Sequence, residues 1–290
     1  MAKSIEEGFK IFLRWITPSD TERAAASSHR AAIEAKLDAR FGLYRMFESG
    51  SFRHGTGVSK HSDVDYLVLL KTTRPIHSQA ILSSVREALK ERFPSTYVHV
   101  ARPAVVLEFG QGYERIEVIP AFRKGTAADG NAKFEIPGVI GEWLESSPES
   151  HLKYVTGINS RPTIKSGAKG LARLTKAWKY YRNVPISSFY LEMRAAAYMA
   201  TQKSVIYPLD VSYFLNSLQH NDLAAMNDPT GSTGRIIACS SDANFREARS
   251  RLDTAVRRAA WAIHYDKNGQ TEKAFEQWDL LFAGKFPSCY

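Results

Sequence analysis

Residues 50–70 read GSFRHGTGVSKHSDVDYLVLL. The stretch opens on a Gly-Ser turn, passes through a polar glycine-bearing loop and enters an apolar run whose start carries two acids, Asp63 and Asp65. A strand has a period of two, so the two carboxylates share one face while Val64, Tyr66 and Val68 take the other. The Gly50-Ser51 turn can offer a backbone N–H and a hydroxyl to an anion. Carboxylates at the mouth of a strand, directly after such a loop, form a candidate divalent-metal site for phosphoryl or nucleotidyl transfer.

Two carboxylates are few for the pair of cations that clamps an in-line displacement, so a third acid is expected on a neighbouring strand. Glu117 qualifies. It stands between Ile116 and Val118, and an acid so placed on a central strand is costly to bury unless a cation pairs with it. Asp-x-Asp by itself is common and can simply cap a strand, and Glu117 by itself suits a solvent face. The specific signal is the ordered set of turn, loop, Asp-x-Asp and later acid. A P-loop is excluded, because Thr56-Gly57 follows Gly50-x4-Gly55 where Lys-Ser/Thr is required, and the dinucleotide-binding glycine pattern is absent here. His54 and His61 lack a His or Cys partner at ligand spacing and read as polar loop residues.

Outward from this stretch, the sequence predicts a helix over 3–15 and a long alanine-rich helix over 21–47 that leads into Gly50. A helix over 77–92 and strands over 96–101, 104–109 and 115–119 follow, with a hairpin turn at Gly110-Gln111-Gly112. Residues 123–147 read as loop-rich. Helices are expected over 148–158, 163–182, 187–203, 209–220, 241–266 and 270–282. The expected fold is α+β and bilobed: a mixed-sheet catalytic lobe with N-terminal helices over 1–147, a helical lobe over 148–290, a long N-terminal spine helix and a site in the cleft between lobes.

The 290 residues allow a sizeable core. The net charge of +9 is not concentrated in a basic tail or run, which favours phosphate-bearing small molecules over a dedicated nucleic-acid surface. No apolar run is long enough to span a bilayer. Glu6 and Glu7 make the N-terminus a poor signal peptide. Cys239 and Cys289 are the only cysteines and form no disulfide framework, which suits a reducing cytoplasm.

The ordered acids resemble the DNA polymerase beta-like nucleotidyltransferase superfamily. Further segments resemble, more narrowly, its bacterial cGAS/DncV-like branch, the CD-NTases. These are Ile116-Glu117-Val118-Ile119-Pro120-Ala121-Phe122, Leu171-Ala172-Arg173-Leu174-Thr175-Lys176-Ala177-Trp178-Lys179 and Ile186-Ser187-Ser188-Phe189-Tyr190-Leu191-Glu192. Asn227-Asp228-Pro229-Thr230 and the ending Phe282-Ala283-Gly284-Lys285-Phe286-Pro287 belong with them. The family's usual third acid is Asp, where this chain has Glu117. The resemblance implies that Asp63, Asp65 and Glu117 hold two Mg2+ ions, which Mn2+ can replace. It gives Gly50, Ser51, Lys176 and Ser188 to the nucleotide phosphates and Phe189 to a base. Physically, Ser188 begins a helix, where orphan N–H groups favour phosphate, although a plain N-cap fits too. The implied activity joins ATP, GTP or other NTPs, with release of pyrophosphate, into a cyclic di- or trinucleotide used in anti-phage (CBASS) signalling. A downstream effector binding the product and a partner processing the C-terminal tail are implied with it, while nucleic acid and membrane are not required. A linear nucleotidyltransferase acting on RNA or a small molecule, and a catalytically silent nucleic-acid sensor, are the alternatives.

Overall fold

The computed structural model describes residues 2–20, 22, 29–61, 63–110, 114–138 and 142–289. It is a mixed α+β fold with two lobes. The first is built on one mixed sheet. Strand β1 (Leu43–Ser49) pairs antiparallel with β2 (Val64–Leu70), and β2 pairs parallel with β5 (Glu114–Thr126). The hairpin of β3 (Tyr97–Ala101) and β4 (Ala104–Phe109) adds to the other side of β5. Strands β6 (Ala132–Pro137) and β7 (Trp143–Ser146) extend from the far end of β5.

Strand alternation sorts the side chains of the two central strands. Val64, Tyr66, Val68, Ile116 and Val118 enter a core closed by helices α2 (Arg30–Phe41) and α4 (Ser78–Arg92). Leu67, Leu69, Ile119 and Ala121 enter a smaller core with Phe134 and Ile136 on the opposite face. Asp63, Asp65 and Glu117 share the parity of this second face. The apolar rows therefore give way to acids where the two central strands begin.

The helix expected over 21–47 ends earlier than its composition suggests. Gly42, at φ +65, closes α2 with its N–H on the Asp38 carbonyl, and the Leu43 N–H donates to Asp38 Oδ1 at 2.7 Å. Residues 43–49 are then captured as β1 by the β2 ladder, in register Met46↔Val68 and Glu48↔Tyr66. The N-terminal part of that helix, at 21 and 23–28, lies outside the described residues, as do Gln111 and Gly112 of the expected hairpin turn. Residues 123–147 are not loop-rich: β5 runs on to Thr126, and Phe122↔Glu135 and Phe134↔Ser146 knit β5, β6 and β7 together.

The second lobe is helical. It comprises α5 (Pro148–Asn159), α6 (Gly167–Tyr181), α7 (Ser188–Ala200), α8 (Tyr207–His220), α9 (Asp242–Lys267) and α10 (Thr271–Leu281), with the short strands β8 (Met226–Asn227) and β9 (Arg235–Ile236). Helix α1 (Ile5–Trp15), N-capped by Ser4, buries Ile5, Phe9 and Phe12 in this helical core, although it belongs to the other half of the sequence. Phe9 meets Trp278 edge-on at 4.8 Å between ring centroids. Among the described residues no helix is long and apolar enough to cross a membrane.

Candidate active site

The parallel register of β2 on β5 places Asp65 directly beside Glu117. Asp63 lies two residues before Asp65, on the same face. Sequence parity brings a fourth residue to the row: Arg115, two before Glu117. Its guanidinium spans the acids, with Nη1 at 2.5 Å from Asp63 Oδ2 and Nη2 at 3.0 Å from Glu117 Oε1. Arg115 was legible by the same alternation that found Glu117, because residues two apart on a strand share a face.

The acids crowd one another. Burial, opposed by Arg115 and reinforced by Glu117, pushes the Asp63 carboxyl up to about 7. Burial and then the charges of Glu117 and Asp63 push Asp65 well above the usual carboxylate range. Gly50 closes the site from below. It sits at φ +62, and a Cβ there would lie 1.9 Å from Asp65 Oδ2, so only glycine lets the turn approach the carboxylate. Gly50 and Ser51 begin the one-turn helix α3 (Gly50–His54), and the Ser51 carbonyl accepts from the Thr56 N–H at 2.9 Å.

The helical lobe supplies the opposing charge through both lysines of α6, Lys176 acting on Asp65 from within the interior and Lys179 on Asp63. Lys176 is only 1% exposed, and its Nζ donates to Glu192 Oε2 at 2.5 Å and to Thr56 Oγ1 at 2.9 Å. One helical turn further along α6, Lys179 feels the charges of Asp63 and Glu117 and donates to Ser188 Oγ at 2.6 Å. Burial, and then the charge of Lys176, lowers the Lys179 ammonium to about 8. The structure thus brings together Asp63, Asp65, Glu117, Gly50, Lys179 and Ser188, and turns Lys176 inward. Sequence cannot separate two lysines three apart on one helix, because both fall on the same side.

Phe189 follows Ser188 in the first turn of α7 and is 37% exposed. Its ring meets that of His151 edge-on at 4.9 Å, and His151 Nε2 lies 3.1 Å from Asp228 Oδ2. Asp228, from the Asn-Asp-Pro-Thr segment, also accepts from the backbone N–H groups of Thr230, Ser232 and Thr233. His54 is not a loop residue: it ends α3, buried, with Nδ1 on Glu192 Oε1. His61 stacks on Tyr180 at 5.3 Å.

Among the described residues, no three His, Cys, Asp or Glu side chains are grouped so that they could hold a metal ion as they are placed. The donor set nevertheless fits a hard divalent cation. All three acids offer oxygen, adjacent strands hold them in a row, and their mutual repulsion is what a 2+ charge relieves. Arg115 partly provides that relief in this structure.

The model of the Second Messenger Oligonucleotide or Dinucleotide Synthetase domain matches residues 3–159, more than half of the chain. A cyclic AMP-AMP-AMP synthase of Acinetobacter sp. is 24% identical over 309 residues, covering 97% of this chain and 85% of its own. The fold is shared with E. coli MS115-1 CdnC bound to ATP, at 16% identity and a TM-score of 0.74 over 98% of this chain and 99% of that one. A complex of the same CdnC with HORMA-deltaN superposes at a TM-score of 0.76 and 16% identity, over 98% of each chain. Vibrio cholerae DncV cyclic AMP-GMP synthase, holding the linear intermediate pppA(3′,5′)pG, gives 0.65 at 13% identity over 84% of this chain and 69% of that one. The chain belongs to the Second Messenger Oligonucleotide or Dinucleotide Synthetase family, is an enzyme of the nucleotidyltransferase class and has the fold of the CD-NTases.

Proposed function

We propose that the enzyme is a Mg2+-dependent, template-independent synthase that joins ribonucleoside triphosphates, releases pyrophosphate and closes the linear intermediate into a cyclic di- or trinucleotide. The observation that carries this reading is the acid row Asp63, Asp65 and Glu117 facing Lys179 and Ser188 where the lobes meet. The adenosine-only product named for the Acinetobacter relative supports ATP as the first substrate to try, with GTP next.

Asp63, Asp65 and Glu117 would hold two Mg2+ ions, or Mn2+ in their place, which when bound activate a ribose hydroxyl and neutralise triphosphate charge. The chain's own groups do the rest by positioning and electrostatics. Lys179 and Ser188 hold the donor phosphates from the helical side, and Gly50 and Ser51 offer a backbone N–H and a hydroxyl from the sheet side. Phe189 gives a base a ring face to stack on, a contact worth about 1–3 kcal/mol. The attacking ribose oxygen bonds to the α-phosphorus, the bond to pyrophosphate breaks, and Glu117 takes the hydroxyl proton. Glu117 reaches one methylene further than the aspartate usual at this position, and its place beside Asp65 supports the same role.

The wider role follows the family: anti-phage (CBASS) signalling in the cytoplasm, a downstream effector that reads the product, and a partner that acts on the C-terminal tail. Cys239 and Cys289 form no disulfide with each other, which suits a reducing compartment. The test is mass spectrometry of products made from all four NTPs with Mg2+. A phosphatase-resistant cyclic product supports the proposal. Products that keep a terminal phosphate, or that require added RNA, favour a linear nucleotidyltransferase.

A further inference from the structure

Behind the acid row lies a second, buried set of polar and charged side chains, one of which, Lys176, also acts on Asp65 through its charge. His54, Thr56, Lys176 and Glu192 are exposed by only 4%, 0%, 1% and 3%. The Glu192 carboxylate divides them. Oε1 meets His54 Nδ1, and Oε2 accepts from the Thr56 hydroxyl and, at 2.5 Å, from Lys176 Nζ. Lys176 also donates to Thr56 Oγ1 at 2.9 Å. One turn earlier on α6, Arg173 donates to the Gly55 carbonyl at 2.6 Å and to the Gly57 carbonyl at 2.8 Å. Every one of these bonds that crosses between the lobes ends on residues 54–57, the segment directly after the turn that carries Gly50 and Ser51.

The connections on either side give the cluster its leverage. At the start of that turn, Gly50 lies against the Asp65 carboxylate. On the helical side, Lys176 and Lys179 are one turn apart on α6, and Ser188 and Glu192 are one turn apart on α7. A shift of the Lys176–Glu192 pair against the loop therefore shifts the Lys179–Ser188 pair against the acids. Stability alone is a weak reason to keep such a cluster, because apolar residues of similar volume often replace a buried ion pair at no cost. What apolar side chains cannot supply is one fixed register between loop and helices, and here a single carboxylate reads out three donors from two lobes.

We propose that Glu192 and Lys176, acting through His54 and Thr56, are positioning residues that lock the nucleotide turn to α6 and α7 and so fix the distance between the acid row and the Lys179–Ser188 pair. The proposal rests on the nucleotidyl-transfer reading above. A displacement of about 1 Å between reacting groups can lower a rate about a hundredfold. The cost should therefore fall on kcat, since Lys179 and Ser188 remain to bind the triphosphate.

The test compares wild type with Glu192→Gln and with Thr56→Val. The second change keeps the side-chain volume and removes one link from the loop to both Glu192 and Lys176. Thermal unfolding is recorded for each, and kcat and KM for NTPs are measured well below the unfolding transition. The expected result is a fall in kcat of tenfold or more in a folded variant, with KM changed less than threefold. A merely structural role would lower the transition temperature and leave kcat of the folded enzyme intact, so folded variants with kcat within twofold of wild type overturn the proposal. If Glu192→Gln does not fold, Thr56→Val decides by the same criterion. Absence of any product from the wild type counts against the nucleotidyl-transfer reading instead, so the two failures are distinguishable.

Discussion

Gly50→Ala tests the close approach on which the acid row depends. Gly50 sits in the left-handed region at φ +62, which costs an L-residue about 1–2 kcal/mol. The new methyl would also lie 1.9 Å from Asp65 Oδ2 and 2.5 Å from its Cγ, far inside contact distance. Relieving such overpacking typically costs about 1–3 kcal/mol, so the substitution should cost roughly 2–5 kcal/mol in all. In a chain of this size each kcal/mol is worth about 2–4 °C in the transition temperature. The carboxylate can escape only by leaving its place beside Glu117, so activity should fall by about a hundredfold or more. Gly269→Ala is the control. Gly269 has φ +69 and nothing within 4 Å of the new methyl, so it incurs the backbone strain alone and keeps wild-type turnover. Thermal unfolding and NTP turnover on both variants separate the two contributions. A Gly50→Ala enzyme that matches Gly269→Ala in both stability and activity would show that the acid row does not depend on this close approach.

Three further predictions concern charge. The Asp63 carboxyl is pushed up to about 7 in the folded chain, against about 3.9 in an unfolded one. The folded state therefore holds the extra proton, and this group's contribution to stability is full below about pH 4 and is lost as pH rises through about 7. In EDTA the transition temperature should decline across that window, and Mg2+ should reverse the decline; an unfolding series from pH 5 to 8.5 that is flat in EDTA contradicts this. Lys179→Met removes a charged hydrogen-bond donor worth about 1.5–3 kcal/mol, so KM for NTPs should rise about 10- to 150-fold; an unchanged KM would move the phosphate contact elsewhere. Arg115→Gln frees Asp63 and Glu117 from a competing cation and should tighten Mn2+ binding several-fold in an EPR titration, whereas weaker binding would make Arg115 a support for the acids.

What the sequence disclosed follows from how local each signal is. Asp63, Asp65 and Glu117 could be found because strand alternation is rigid and an acid between apolar neighbours is anomalous. The helical half was legible because long 3.6-period patterns are unambiguous. Strand β1 was hidden because Leu-Tyr-Arg-Met-Phe-Glu-Ser has weak strand preference and follows a helix. Only the ladder with β2, a contact between segments separated by a loop, decides it. Strands β6 and β7 are short and bounded by turns, and their inward residues Phe134 and Ile136 become visible as core only once β5 is in place. Lys176 and Lys179 differ by less than one turn, so the partner Glu192, from another helix, decides which is buried. The location of α1 in the helical lobe is likewise a tertiary fact, made by Phe9 and Phe12 against the aromatic residues of the C-terminal segment.

On the proposed reading, Asp63, Asp65 and Glu117 carry nucleotidyl transfer. The most direct measurement is product mass spectrometry on the Asp63→Ala/Asp65→Ala double variant beside wild type, with all four NTPs and Mg2+ and with circular dichroism on both. The predicted result is a cyclic oligonucleotide from wild type and none from a double variant that retains its fold. Synthesis by the folded double variant would contradict the claim.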